Sequence, residues 1–152
     1  MFKKILKIVG SFFLVLIILI IAAAIWYSFK SSEYTSDAKP FLQEHMPSIL
    51  SWDYQKLKPL LAESALEEFE TERGQKTYRF FSKLGPLKSL GEIQFTNASS
   101  GVDINQGAYD VVTFTMPGYF ESGEAQISIT LTKTDSSYRV NYLQINSDVF
   151  LE

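Results

Sequence analysis

His45 is the only histidine in this 152-residue chain, and there is no cysteine. A relay between histidines, a thiol nucleophile, a disulfide and a lipid anchor attached through cysteine all need residues the chain lacks. A metal would have to be held by carboxylates. The densest set is Glu67, Glu68, Glu70 and Glu72, but on a helix these spread over more than one face and read as a solvated charge run. His45 shares helical spacing with Phe41, Leu42 and Met46, where a lone histidine is ordinarily a hydrogen-bonded core residue. Asp53 reads as a helix N-cap, and Trp52 beside it as a core anchor at a helix junction. No Gly-rich phosphate loop, nucleophile elbow or H-E-x-x-H string occurs. Asn97-Ala98-Ser99 fits the N-glycosylation pattern, a three-residue match of little weight. No catalytic residue, cofactor site or metal site is therefore assigned, and the chain is expected not to be an enzyme.

The residues that remain must be positioned by a chain that begins with an apolar run. Ile8 to Tyr27 reads IVGSFFLVLIILIIAAAIWY, twenty residues without a charge. As a helix rising ~1.5 Å per residue it spans the ~30 Å core of a bilayer. Lys3, Lys4 and Lys7 precede the run, and only Lys30 follows closely. That asymmetry predicts a cytoplasmic tail over 1–7, a transmembrane helix over 8–27 and the rest of the chain across the membrane. A cleaved signal peptide competes, since Ala22-Ala23-Ala24 resembles a cleavage site. The apolar run is long for a signal, however, and Ile25, Trp26 and Tyr27 continue it.

Beyond the run, Ser28 to Asp37 reads as a linker and 38–152 as one extracytoplasmic domain. With Lys3, Lys4 and Lys7 set aside, 11 basic residues face 17 acidic ones, a balance that disfavours nucleic acid as a partner. A first helix is expected from Ser36 or Asp37 to Pro47, which should end or kink it. A second opens at Asp53, followed by a capping-box pattern at Ser64 and Glu67 and a stop at Gly74. A third, over about 75–84, places Tyr78, Phe81 and Leu84 on one side. After Gly91 the period changes to 2. Ile93 and Phe95, then Val112, Phe114 and Met116, then Ala125, Ile127, Ile129 and Leu131 alternate with polar neighbours, so one sheet face is buried and one wet. Asp110 shares the register of Val112, either pointing inward at the strand end or standing at a solvated edge. The last strand carries Tyr138, Val140 and Tyr142, then shifts phase to Leu143 and Ile145, as a β-bulge would cause. Asn105-Gln106-Gly107, Pro117-Gly118, Ser122-Gly123 and Asp135-Ser136 read as turns. Helices followed by a strand meander give an α+β domain, with helices packed on a bent antiparallel sheet.

Ser51-Trp52-Asp53, then Phe80 to Leu87 (FFSKLGPL), then the meander ending Ile145-Asn146-Ser147 resemble the small membrane-anchored bacterial proteins of the NTF2-like, or cystatin-like, cone fold. The VirB8-type secretion components have a similar plan of short tail, single span and NTF2-like domain. The resemblance implies a bacterial inner-membrane protein and a cone that encloses a pocket. By analogy with enzymes similar in fold, His45, Asp53, Tyr54, Asp110 and Tyr142 are the polar groups that would line it. The resemblance also implies an open sheet face presented to a second subunit. Tyr119 and Phe120 follow Pro117-Gly118 outside any clean alternation, and with Tyr109 they would form an interface patch if exposed together. The expected function is thus an envelope interaction or accessory module, binding an envelope protein or a second copy. The alternative is an apolar small molecule bound in the cone through His45, Tyr54, Asp110 and Tyr142.

Overall fold

A computed structural model gives the fold; it describes residues 2–103 and 107–151. The chain divides into two compact units, Met1–Tyr34 and Thr35–Glu152. Helix α1 runs over Phe2–Ile49, and it contains one stretch long and apolar enough to cross a membrane. The stretch expected as a linker, Ser28 to Asp37, is helical within α1, and no separate helix starts at Ser36 or Asp37. The reason is cooperativity. Nucleation is the costly step, so a helix already formed propagates through residues too weak to start one. Pro40 and Pro47 both lie inside α1, and Leu50 N–H still donates to Met46 C=O (2.9 Å) beyond the second proline.

In the second unit, α1 is followed by a turn in which Trp52 adopts φ 61°. Asp53 then caps helix α2 (Tyr54–Leu57), its Oδ1 accepting from Gln55 N–H at 3.0 Å. A 3₁₀ turn over Lys58–Leu60 leads to α3 (Glu63–Glu70) and α4 (Glu72–Phe81). Ser64 does not cap α3, which starts after Ala62. Ala62 N–H is tied to Val140 C=O (2.8 Å), and Ser64 Oγ donates instead to Asn141 Oδ1 (2.9 Å). Gly74 is not a stop either. Thr71 ends α3 and caps α4, accepting from Gly74 N–H at 3.0 Å. Glycine is needed inside α4 because a Cβ there would stand 2.3 Å from Glu68 C=O. Tyr78 and Leu84 are buried as the helical spacing predicts.

The sheet has five antiparallel strands: β1 (Leu87–Leu90), β2 (Gln94–Asp103), β3 (Gly107–Phe120), β4 (Glu124–Lys133) and β5 (Tyr138–Asn146). The pairing order is β1-β3-β4-β5, with β2 also on β3. β1 and β2 thus share one long neighbour, pairing with its two ends in succession. Pro117-Gly118, expected as a turn, lies within β3 opposite Gln126 and Ala125. Pro117 sits where the edge changes from β1 to β2, and its carbonyl accepts from Gly91 N–H (2.8 Å). Turns do form at Ser122-Gly123, where Phe120 N–H donates to Gly123 C=O (2.9 Å), and at Asp135-Ser136, where Thr134 N–H donates to Ser137 C=O (2.8 Å). The turn at Asn105-Gln106 falls outside the described residues. The expected bulge is present: between Thr130 and Leu131 the partners skip from Tyr142 to Val140, leaving Asn141 extra.

One face of the sheet belongs to the core. Val112, Phe114, Met116, Ile127, Ile129 and Leu131 are at most 2% exposed, as are Leu42, Met46 and Ile49 of α1. Among the described residues no polar or charged residue is buried. The molecule is therefore an α+β protein whose helix-facing sheet surface is filled by aliphatic and aromatic side chains.

Candidate functional site

The proposed cone residues do not come together. His45 packs on Phe41 (ring centroids 4.6 Å) and lines a groove of about 360 Å³ between α1 and the β4–β5 turn. Tyr142 is 57% exposed and lines a different groove, of about 320 Å³, against α3 and α4. Tyr54 stands beside the Lys58–Glu70 ion pair (2.8 Å), its hydroxyl closed off from solvent and without a partner of hydrogen-bonding geometry. That burial, then the Glu70 charge, holds the phenol above its ordinary range. Asp110 is half-buried at the end of the Val112 register, in the part of β3 that extends beyond its pairing with β4. Asp53 is an exposed cap. Among the described residues no group of three His, Cys, Asp or Glu is close enough to hold a metal.

The expected interface patch also separates. Phe120 is 4% exposed and belongs to the core, with its ring centroid 5.7 Å from that of Trp52. Tyr109 and Tyr119 are exposed but lie ten residues apart on β3, a distance of about 33 Å along a strand. Trp52 is the anchor its position suggested: its indole N–H donates to Gly85 C=O (2.7 Å) and its ring also meets Tyr78. Tyr78 in turn donates from its hydroxyl to Ile49 C=O (2.9 Å), and burial pushes that phenol far up.

At the groove lined by His45, Asp37 of α1 accepts from Lys133 Nζ (2.6 Å) and from Tyr138 Oη (2.9 Å). The Lys133 hydrogen bond first, then that of Tyr138, holds the Asp37 carboxyl below its usual range. These contacts fasten the C-terminal part of α1 to the β4–β5 turn. The four-carbon stem of Lys133 also passes near the Tyr138 ring, with Nζ 5.9 Å from its centroid. All the carboxylate's named partners are used in holding two elements together, so the cluster explains itself as a fastening.

The sheet face opposite the core is different in kind, although at its β5 end Tyr142 and Gln144 also line the groove against α3 and α4. The register aligns Asn97, Thr113, Thr130 and Tyr142 in one row across four strands. The next row is Gln94, Thr115, Ser128 and Gln144. A third holds Pro117, Gln126 and Asn146. Every one of these side chains is exposed or half-exposed. Within a row, Thr113 and Thr130 hydroxyls meet at 2.9 Å, and Thr115 meets Thr96, the residue that the β2–β3 register skips, at 3.2 Å. Among the described residues, ionic side chains stand at the margins: Arg139 opposite Thr132, Glu124 opposite Tyr119, and Glu68 and Arg73 in the groove that Tyr142 and Gln144 line. Alternation predicted a wet face. That it would be uncharged across three rows follows only from the register, which the sequence alone does not supply. Compared with known proteins, the chain matches no protein-family model, no curated protein and no solved structure.

Proposed function

We propose that this chain is a membrane-anchored binding module of the bacterial cell envelope, with its tail in the cytoplasm, its sheet domain outside and no catalytic role. The observation that carries the reading is the contrast between the two sides of the sheet. The helix side is closed by core residues such as Phe114, Ile129 and Leu42, and the other side carries exposed or half-exposed polar side chains across four strands. A module that works by binding needs an open, rigid surface, and a sheet supplies one without any loop having to order. The lysines ahead of the apolar run support the orientation. The NTF2-like or cystatin-like resemblance supports the envelope setting.

A photo-crosslinking side chain placed at Tyr142 or Tyr119 in living cells tests the reading. Adducts of defined mass are expected from these exposed positions and not from Phe114. Their absence at both positions would remove the binding reading. A second reading, capture of an apolar small molecule, is favoured by the groove against α3 and α4, whose walls include Phe69, Phe81, Tyr142 and Leu143. Its size lies at the low end for small-molecule sites. An apolar compound co-extracted with the chain, and lost with Phe69→Ala, would support it.

A further inference from the structure

We propose that the outer edge of β1 takes up one further strand, an extended apolar segment of a partner protein. This edge is a separate surface from the polar sheet face and needs nothing from it. Among the described residues β1 pairs with β3 alone and ends the strand order, so its other edge is free. Gly91 N–H donates to Pro117 C=O (2.8 Å). Antiparallel pairs alternate between bonded and non-bonded. At the adjacent pair, Leu90 opposite Gly118, the Leu90 N–H and C=O therefore point away from β3. Backbone groups presented in this way are complementary to another strand before any side chain is considered.

Free edges occur in most open sheets, but this one lies along a groove of about 700 Å³, roughly twice the size of those at His45 and Tyr142. Its lining joins β1 to the end of α1 and the Trp52 turn, with Pro47, Leu50 and Trp52 on that side. Trp52 holds φ 61° there, and its indole N–H is bonded to Gly85 C=O, which also lines the groove. A strained turn fixed in this way keeps the wall in place, so an incoming segment has no wall to order. The shape of the edge selects the occupant. β1 has four residues and carries Lys88, features that discourage open-ended pairing between sheets. An edge inside a groove admits a thin extended segment, whereas a folded copy would bring its own walls. The strand's ~13 Å matches about four residues of such a segment. Leu87 and Leu90 are half-buried while Lys88 and Ser89 are exposed. Alternate side chains of the segment therefore meet an apolar strip, and an acidic residue between them suits Lys88.

The test uses the full chain in nanodiscs of neutral phosphatidylcholine. The probe is a phage-displayed library of random heptapeptides, counter-selected on empty nanodiscs. Enrichment of peptides with apolar residues at alternate positions is expected, and the most enriched peptide is then synthesised. N-methylation of one set of its alternate amides should weaken binding about tenfold, and methylation of the other set should not. Pro47→Trp fills the groove from an exposed position and should weaken binding about tenfold without lowering the thermal midpoint. Tyr142→Ala should leave binding unchanged. No enrichment over empty nanodiscs would overturn the proposal, as would binding indifferent to both methylation patterns. If Tyr142→Ala weakens binding and Pro47→Trp does not, the edge is wrong and the peptide lies in the groove against α3 and α4. If the chain instead pairs with itself and Pro47→Trp separates the pair, the occupant is a second copy and the partner segment is wrong. Crosslinks at Tyr142 test the sheet face separately, so either claim can fail alone.

Discussion

Trp52 offers a test in which the order of three variants matters more than any single value. It is the one described residue other than glycine with positive φ (61°), a conformation that costs an L-residue ~1–2 kcal/mol. The strain is held by an indole N–H bond to Gly85 C=O at 2.7 Å and by rings of Tyr78 and Phe120 at 5.8 and 5.7 Å. Trp52→Phe keeps an aromatic ring but orphans the carbonyl, a loss of about 1 kcal/mol. Trp52→Ala loses both; for a half-buried ring we take about half the usual 3–5 kcal/mol, giving about 3 kcal/mol with the hydrogen bond. Trp52→Gly loses the same contacts yet adopts φ 61° without strain, so it recovers about 1 kcal/mol relative to alanine. For a unit of this size 1 kcal/mol moves the midpoint by about 4 °C. Thermal scans of the detergent-solubilised chain, followed by near-UV dichroism of its tyrosines, should rank phenylalanine above glycine and glycine above alanine. Glycine at or below alanine would refute the claim that the turn stores strain.

Three further outcomes follow from the packing. Phe120→Ala should cost about 3 kcal/mol in urea unfolding, because its ring is buried against Trp52, and Tyr119→Ala should stay within about 0.5 kcal/mol. Gly74→Ala should destabilise by about 1–2 kcal/mol despite alanine's better helix propensity, since its Cβ would press on Glu68 C=O; an unchanged urea midpoint would show that α3 can give way. Asp37, held low by Lys133 and Tyr138, contributes stability that is complete above the ordinary carboxylate range and is lost as pH falls through its lowered value. Lys133→Met should therefore flatten the acid-side fall in urea midpoint, by less than about 1 kcal/mol because the pair is half-exposed.

The parts of this fold legible in the sequence are those governed by a period. Alternation over Ala125 to Leu131 placed every one of those residues on the correct face; the phase shift in β5 was legible too, but the extra residue is Asn141, so Tyr142 lies outside and not on the face of Tyr138 and Val140. Local turn chemistry misled where tertiary structure outweighed it. Read as a turn, Pro117-Gly118 hid the fact that Phe120 keeps the parity of Phe114 and Met116. Once β3 runs through Pro117, parity alone puts Phe120 inside and Tyr119 outside. Ser28 to Asp37 misled through composition, since serines and threonine suggest a linker only where no helix is already propagating.

The open face was hidden for a different reason. Its residues occur as Thr113, Thr115, Gln126, Ser128, Thr130, Tyr142 and Gln144, each unremarkable beside its own neighbours. Strand-to-strand register converts them into a surface, and that register depends on two extra residues, Thr96 in β2 and Asn141 in β5. Shift β5 by one residue and Leu143 replaces Tyr142 beside Thr130, placing an aliphatic side chain on the wet face and a tyrosine in the core. The bulge thus keeps Val140 and Leu143 in the core while Tyr142 and Gln144 remain outside. The device that completes the core also completes the uncharged face, so a variant that removes Asn141 should disturb stability and binding together.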